Sequence, residues 1–330
     1  MSEPSIDVLG IGNAIVDILV QTPDSFLVEN GLDKGAMGLV SAEQQSALYA
    51  KTGQAIESSG GSAANTMAGI AALGARAAFA GKIKDDQLGT VFAHDINAAG
   101  VSFKTPKSTD GAPTATCLVL ISPDGQRTMQ TYLGACVDFS AADLDEAEIA
   151  AAGVIYLEGY LWDPEPAREA FLEAARIAHK AGRKVALSLS DPFCVDRHRD
   201  GFLAFIKDHV DILFANEAEI LSLFQVDDFA EAAARIKRIV DIAALTRSEQ
   251  GSVIVSGNEL IAVAASPVEK VIDTTGAGDA YAAGFLAAYT QGQNLKTAGT
   301  LGGLLAAVII QQIGARPSAN VQHLLHGLDG

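Results

Sequence analysis

Short apolar runs alternate with helical patterns through the second half of this 330-residue chain. The runs Val154–Leu157, Lys184–Leu189, Ile212–Phe214 and Ser252–Val255 have the length and composition of buried strands. Between the first two, Pro166–Ala181 repeats its apolar residues at the spacing of one helix face. Strands separated by helices of about 10–15 residues are typical of a parallel sheet with helices on both faces. The pattern therefore predicts an α/β fold around a central, mostly parallel sheet.

The helical pattern disappears between Val101 and Ala135. There, Thr114–Ile121 and Gln126–Tyr132 flank the turn Ser122–Gly125, which predicts a β-hairpin. Short strands and turns also fill residues 13–40, where glycines interrupt the pattern. We expect these two segments to form one small β-rich lid. The predicted division is a discontinuous lid of residues 13–40 and 103–135 and an α/β nucleotide- and substrate-binding domain of residues 1–12, 41–102 and 136–330.

The composition restricts the possible partners. Asp and Glu together number 40 against 23 for Lys and Arg, and this net charge of −17 disfavours nucleic acid and anionic membranes. The acidic N-terminus lacks the apolar stretch of a signal peptide, and Leu301–Ile310 is too short to cross a bilayer. The three cysteines have neither zinc-site nor disulfide-framework spacing. We therefore expect a cytoplasmic protein that acts on small molecules, with monomer and homodimer both open.

The stretch Asp273–Asp279 (DTTGAGD) lies between a β-rich run and an Ala/Gly-rich helical pattern. Gly276, Ala277 and Gly278 would leave three backbone N–H groups open at the start of a helix, where the dipole favours an anion. Asp279 falls in the first turn of that helix, and a carboxylate beside an anion site suits a hydroxyl that attacks a phosphoryl group. We therefore predict phosphoryl transfer to an alcohol with Asp279 as the base. The alternative is a tight glycine turn followed by an ordinary first-turn acid.

A second glycine cluster occupies Ser59–Asn65 (SGGSAAN) and precedes a small-residue helical pattern, Thr66–Leu73. Its glycines would let a ligand approach the backbone, and Ser62 is a candidate N-cap. A close helix–sheet contact would need the same small residues, so both interpretations remain open. Near the N-terminus, Gly10-Ile11-Gly12-Asn13 lacks the third glycine of a dinucleotide fingerprint, because position 15 is Ile15. A nicotinamide-dependent oxidoreductase is therefore disfavoured.

These motifs resemble a known family. Asp273–Asp279 resembles the C-terminal signature of the ribokinase-like (PfkB) carbohydrate and nucleoside kinases, and Gly60-Gly61-Ser62-x-x-Asn65 resembles their N-terminal signature. Within the family, Leu187–Phe193, Val210–Glu217 and Gly12-Asn13-x-x-x-Asp17 are similar to adenosine kinases, and the resemblance covers nearly the whole chain. It implies a ribokinase-like fold and ATP-dependent phosphorylation of the 5′-hydroxyl of adenosine, assisted by Mg²⁺ and also by K⁺.

The resemblance also implies a role for each matching residue. The catalytic set comprises the base Asp279, the anion hole Gly276, Ala277 and Gly278, and the lid arginine Arg127. The ribose-binding set comprises Asn13, Asp17, Gly60, Gly61, Ser62 and Asn65, and the base pocket comprises Cys117, Leu133, Tyr160 and Phe193. The nucleotide and magnesium set comprises Asn216, Glu219, Thr246 and Gly251, near Ser248 where many members have glycine. The monovalent-cation set comprises Asp273 and Thr275.

Two other functions remain open at this point. A sugar kinase that acts on ribose, fructose or a related sugar, or a kinase for another nucleoside, would share the polar residues around the acceptor. Only the base pocket would distinguish these activities from adenosine phosphorylation. A non-catalytic ligand-binding member of the family is disfavoured, because Asp279 and the glycine loop before it are intact.

Overall fold

The computed structural model describes residues 3–318 and 320–326, and two β-sheets organise this part of the chain. The strands in chain order are β1 (Ile6–Ile11), β2 (Ile15–Gln21), β3 (Met37–Leu39), β4 (Ala55–Gly60), β5 (Ala77–Ala80), β6 (Ser102–Phe103), β7 (Ala115–Ile121), β8 (Arg127–Tyr132), β9 (Ala152–Glu158), β10 (Lys184–Ser188), β11 (Ile212–Asn216), β12 (Ile242–Thr246), β13 (Ser252–Ser256) and β14 (Glu259–Val263). Within the described residues, the larger sheet has nine strands in the spatial order β14-β13-β12-β11-β10-β9-β1-β5-β6.

Most of the larger sheet is parallel, which confirms the predicted fold class. From β6 to β12 every neighbouring pair of strands is parallel, whereas β12, β13 and β14 pair antiparallel at one edge. The four apolar runs found in the sequence each overlap a strand of this sheet. Strand β12 (Ile242–Thr246) was not predicted, because its small residues Ala243 and Ala244 give a weak strand signal.

Helices cover both faces of the larger sheet. The helices in chain order are α1 (Asp24–Glu29), α2 (Ala42–Tyr49), α3 (Ser62–Ala72), α4 (Gln87–Ala98), α5 (Glu146–Ala151), α6 (Glu165–Lys180), α7 (Pro192–His209), α8 (Glu217–Phe224), α9 (Phe229–Ile236), α10 (Ala277–Thr290), α11 (Leu295–Ile309) and α12 (Gln322–His326). Helices α3, α4, α10 and α11 enclose one apolar cluster, and α5 to α9 enclose the other. Among the described helices, none combines the length and the apolar character needed to cross a bilayer.

The smaller sheet has five strands in the described part of the chain, in the order β3-β8-β7-β2-β4. Strands β7 and β8 form the predicted antiparallel hairpin, and β2 lies parallel to β7. Strand β4 (Ala55–Gly60) pairs with β2 in this sheet, although the sequence placed residues 41–102 in the larger domain. The error arose because β4 is polar and partly exposed, so it lacks the apolar alternation of a predictable strand.

Candidate active site

A cavity of about 670 Å³ is lined by residues from both sheets. Strands β9 and β11 contribute Glu158 and Asn216 at their carboxyl ends, where ligands commonly bind in open α/β sheets. The cavity brings together most of the residues singled out in the sequence. These are Asn13, Asp17, Gly61, Ser62, Asn65, Cys117, Arg127, Leu133, Tyr160, Asn216, Glu219, Asp273, Thr275, Gly276, Ala277, Gly278 and Asp279.

The glycine loop forms the start of helix α10, with Gly276 as its N-cap. Gly276 has a φ of 75°, and a Cβ there would lie 2.5 Å from the Cβ of Ala315, so both conformation and space require glycine. Within the described residues, the N–H groups of Gly278 and Asp279 have no protein partner. The N–H of Ala277 donates to the carbonyl of Thr274 at 3.2 Å, so the prediction of three open N–H groups needs correction.

Asp279 accepts hydrogen bonds on both carboxylate oxygens. The hydroxyl of Ser62 donates to Oδ1 at 2.6 Å, and Nδ2 of Asn65 lies 3.5 Å from Oδ2, the outer limit of such a bond. Burial raises the pKa of Asp279 to about 6, although Ser62, Asn65 and Arg316 act in the opposite direction. A carboxylate with this pKa remains mostly ionised at neutral pH and is a stronger base than an ordinary aspartate.

Ser62 is the first residue of helix α3 and does not cap it, contrary to the prediction. The N-cap is Gly61, which makes no side-chain bond, and the Ser62 hydroxyl is engaged with Asp279. The amide of Ala63 donates instead to Oε2 of Glu158 at 2.7 Å. A carboxylate from the neighbouring strand therefore satisfies the helix start and leaves Ser62 facing the site.

Sequence reasoning missed Glu158, a fully buried carboxylate in the cavity wall. Its Oε1 accepts from Nδ2 of Asn13 at 2.7 Å and from the Asn13 N–H at 3.3 Å. Burial raises the pKa of Glu158 to about 7, against these hydrogen bonds. Glu158 thus fixes Asn13 and the start of α3 together. The available signal was an acid directly after the apolar run Val154–Leu157, at the carboxyl end of a buried strand.

Asp17 projects from β2 into the cavity, opposite the glycine cluster. Burial raises the pKa of Asp17 to about 6; Arg316 and Arg127 lower it, and Asp279 raises it. A Cβ on Gly60 would lie 2.3 Å from Oδ2 of Asp17, so the space for this carboxylate exists because residue 60 is glycine. Gly60 itself does not line the cavity and acts through Asp17.

Arg127 of β8, in the smaller sheet, forms an ion pair with Asp273, in the loop before α10. The two side chains are only 7% and 5% exposed. Oδ1 of Asp273 also accepts from the N–H of Thr275 at 3.0 Å, and Oδ2 accepts from the N–H of Gly314 at 3.1 Å. The carboxylate therefore accepts from two backbone amides, and the guanidinium of Arg127 already supplies positive charge beside it. This donor set does not fit the monovalent-cation site predicted at Asp273 and Thr275. Arg127 pairs with Asp273, and its contact with the phosphates stays a prediction.

Asn216 and Glu219 form a reciprocal capping box at the start of helix α8. Glu219 accepts from Nδ2 of Asn216 at 2.6 Å, and burial together with Asp191 and Asp279 raises its pKa to about 7. A second cavity of about 80 Å³ adjoins them and is bordered by Thr246 and Asp279. In the described ranges no group of three or more His, Cys, Asp or Glu side chains could hold a metal. A divalent ion here would need water and phosphate oxygens as further ligands.

Besides Gly60, two predicted contact residues lie outside both cavities. Phe193 is 73% exposed, because the Asp191 side chain caps α7 and leaves Phe193 on its outer first turn. Gly251 closes a turn by donating to the carbonyl of Ser248 at 3.0 Å and borders neither cavity. Ser248 has a φ of 49°, in the left-handed region that favours glycine, the residue that the family resemblance implies at this position.

Apolar side chains also line the cavity. They include Cys117, Leu133 and Tyr160, together with Met37 and Leu39 of β3. Burial raises the pKa of the Cys117 thiol to about 12, so Cys117 is a neutral apolar contact and not a nucleophile. A cavity that is lined by apolar side chains and by a few carboxylates suits a ligand that carries both an apolar ring and hydroxyl groups.

The sequence and the fold both have known relatives. The sequence pattern of the pfkB family of carbohydrate kinases matches residues 39–322. The crystal structure of an adenosine kinase from Sinorhizobium meliloti, 50% identical, superposes with a TM-score of 0.92 over 98% of this chain and 99% of that chain. A probable sugar kinase from Rhizobium etli CFN 42, 49% identical, superposes with a TM-score of 0.93 over the same shares. An adenosine kinase from Saccharomyces cerevisiae is 28% identical over 95% of this chain and 97% of its own length.

Proposed function

The chain belongs to the pfkB family of carbohydrate kinases, and from this premise we propose that it is an adenosine kinase. It transfers the γ-phosphoryl group of ATP to the 5′-hydroxyl of adenosine and releases AMP and ADP. The cavity supports this substrate, because its lining combines apolar side chains such as Tyr160 with the carboxylates of Asp17 and Asp279. Two of the relatives described above are adenosine kinases, one of them 50% identical.

The chemical step uses groups that are already in place. The acceptor oxygen forms a bond to the γ-phosphorus while its proton passes to Asp279, and the bond from that phosphorus to the bridging oxygen of ADP breaks. The open N–H groups of Gly278 and Asp279 meet the charge on the transferred oxygens at the positive end of α10. The hydroxyl of Ser62, which donates to Asp279 at 2.6 Å, lies where an acceptor hydroxyl must also donate.

Mg²⁺, when bound, would neutralise the phosphate oxygens of ATP. The Glu219 carboxylate borders the small cavity and would hold such an ion together with water and phosphate oxygens, since the described residues contain no group of three metal-binding side chains. Asn216 holds Glu219 in place through the capping box, and Thr246 borders the same cavity. We therefore propose that ATP and Mg²⁺ occupy this side of Asp279.

The observation that carries the proposal is the one cavity whose lining includes the carboxylate pair, the open helix start and apolar side chains. A panel of acceptors with ATP and Mg²⁺ tests it: adenosine, inosine, guanosine, ribose and fructose, with ADP release as the readout. We expect adenosine to have the highest kcat/KM. Turnover of a free sugar far above adenosine would support the alternative, a sugar kinase, which the 49% identical probable sugar kinase favours. No turnover of any acceptor would support a ligand-binding protein.

We further propose a role in purine salvage in the cytoplasm, because the reaction converts a free nucleoside into a nucleotide with ATP as donor. The partners would then be a nucleoside and ATP, with no nucleic acid or membrane. The net charge of −17 agrees with this, because it would repel anionic macromolecules. ATP, although anionic, would be bound by individual groups within the site. Monomer and homodimer both remain compatible with the proposal.

Gly60→Ala should raise the KM for adenosine by about 10–100-fold, the cost of a misplaced charge-assisted hydrogen bond. The new Cβ would fall 2.3–2.6 Å from the Asp17 carboxylate and force that side chain out of position. Steady-state kinetics with both substrates measure the effect, and the KM for ATP should stay within about twofold. Gly53→Ala is the matched control, because a Cβ there meets nothing within 4 Å. An unchanged KM for adenosine in Gly60→Ala would contradict this use of Asp17.

Replacing K⁺ by Na⁺ or tetramethylammonium should change the initial rate by less than about twofold, because Arg127 supplies the charge that a cation would bring to Asp273. Initial rates at constant ionic strength and constant Mg²⁺ measure this. Arg127→Met gives the matched comparison, since it exposes the Asp273 carboxylate to a cation; its activity should then rise with K⁺. Specific activation of the unaltered enzyme by K⁺ of about tenfold or more would contradict the ion-pair interpretation.

A further inference from the structure

Arg316 contacts the acceptor site, although it belongs to none of the motifs found in the sequence. It follows helix α11 in the segment Gly314–Pro317. Its Nε donates to Oδ1 of Asn65 at 2.9 Å, and its Nη1 donates to the hydroxyl of Ser59 at 2.5 Å. Its Nη2 is buried and, within the described residues, has no hydrogen-bond partner. A guanidinium in this setting is costly unless nearby negative charge compensates for it.

The segment that carries Arg316 is fixed to the anion loop. The N–H of Gly314 donates to Oδ2 of Asp273 at 3.1 Å, and the side chain of Gln312 donates to the carbonyl of Arg316 at 2.6 Å. Ala315 packs so closely on Gly276 that a Cβ at residue 276 would lie 2.5 Å from the Ala315 Cβ. The guanidinium therefore has a defined position relative to the start of α10.

Arg316 determines how the Asn65 amide is turned. An arginine side chain has donors and no acceptor, so the Asn65 atom that faces Nε must be the oxygen. The Asn65 NH₂ group then points toward Oδ2 of Asp279, at 3.5 Å. The reversed amide would place two donors against each other at Arg316 and an oxygen against the Asp279 carboxylate. Arg316 therefore keeps a donor, and not an acceptor, directed at the base.

Arg316 is also the positive charge that two site carboxylates share. Asp17 and Asp279 repel each other, and Arg316 lowers the pKa of each against the effect of burial. Asp17, Asp95 and Asp279 in turn favour the charged guanidinium, whose pKa burial lowers. Arg127 is the other cation that acts on Asp17. The remaining titratable groups affected by the charge on Asp279 are Tyr156, Glu158, Tyr160 and Glu219.

We propose that Arg316 is a positioning residue for phosphoryl transfer, which fixes the Asn65 amide and keeps Asp17 and Asp279 ionised together. One carboxylate can then hold the ribose hydroxyls while the other takes the proton of the acceptor. This role rests on the proposed kinase activity. Arg316 acts through Asn65 and the two aspartates and not by contact with ATP, so its loss should leave ATP binding intact.

Four variants test the proposal: Arg316→Met, Arg316→Lys, Asn65→Ala and the double variant Asn65→Ala/Arg316→Met. Arg316→Met should lower kcat by about 10²-fold and move the acid limb of kcat/KM for adenosine about one pH unit higher. Arg316→Lys keeps the positive charge but loses the planar guanidinium with its several donors. It should therefore return the acid limb to its original pH, whereas kcat should recover by less than about tenfold relative to Arg316→Met. The double variant should lose little more than the worse single variant, because the two side chains act as one unit. Arg76→Met is the control, since Arg76 is exposed and pairs with Asp7.

A substrate-free measurement separates this inference from the proposed function. Carboxyl ¹³C NMR titration of the unliganded protein should give higher midpoints for Asp17 and Asp279 in Arg316→Met than in the unaltered chain. If adenosine is not phosphorylated, the proposed function fails, and the titration still decides the role of Arg316. Unchanged midpoints, or fully additive losses in the double variant, would overturn the role. Should Arg316→Met not fold, Arg316→Lys decides: a kcat within about twofold of the unaltered enzyme would overturn it.

Discussion

Asp279→Asn should lower kcat by about 10²–10⁴-fold, the usual loss when a general base is removed. Asparagine has nearly the same shape and can still accept the hydrogen bond that Ser62 donates at 2.6 Å. It cannot take the proton of the acceptor hydroxyl. The change also removes a buried charge whose pKa is raised to about 6, so the fold should not lose stability. Steady-state kcat at saturating adenosine and ATP measures the effect.

Asp110→Asn is the matched control for this experiment, because Asp110 is exposed and does not line the cavity. Its kcat should equal that of the unaltered enzyme. Thermal unfolding of both variants separates a loss of chemistry from a loss of fold. A value of kcat for Asp279→Asn within about tenfold of the unaltered enzyme would exclude Asp279 as the base.

Asp17→Ala should raise the KM for adenosine by about 10²–10⁴-fold, because two charge-assisted hydrogen bonds to vicinal ribose hydroxyls are lost together. The KM for ATP should change by less than about twofold, since Asp17 does not border the small cavity next to Glu219. The melting temperature should not fall, because burial raises the pKa of Asp17 to about 6 and its ionised form is costly in the folded state.

The control for Asp17→Ala is Asp33→Ala, a change of the same residue type at an exposed position before β3. Both Michaelis constants should stay unchanged in this control. Isothermal titration of each variant with adenosine alone distinguishes weaker binding from slower chemistry. Equal weakening of adenosine and ATP in Asp17→Ala would mean that Asp17 does not serve the acceptor selectively.

The predictions that came from local sequence patterns were the most successful. The family prediction and the fold class are confirmed, because the DTTGAGD stretch and the alternating strands and helices are local signals. A glycine loop followed by an acid gives the start of α10 directly, since the backbone conformation and the first-turn position depend on neighbouring residues. The role of Asp279 as the base stays a prediction until the kinetic test.

The features that sequence reasoning missed depend on contacts between distant segments. Arg316 lies 251 positions from Asn65, and Glu158 lies 145 positions from Asn13, so no local pattern relates either pair. The ion pair of Arg127 with Asp273 has the same origin, because it joins two segments that are distant in the sequence. Ser62 does not cap helix α3, because the N–H of Ala63 donates to the Glu158 carboxylate of β9. Each miss therefore reflects a tertiary contact that outweighs a local preference.

Strand β4 runs into helix α3 with only Gly61 between them, so the smaller sheet and the first turn of α3 share one continuous backbone. Ser62 and Asn65, in the first turn of that helix, both bond to Asp279. The strand before Gly61 pairs with β2 beside Asp17. One short, unbroken segment therefore ties the surroundings of Asp17 to those of Asp279, so an insertion at this junction would disturb both carboxylates at once.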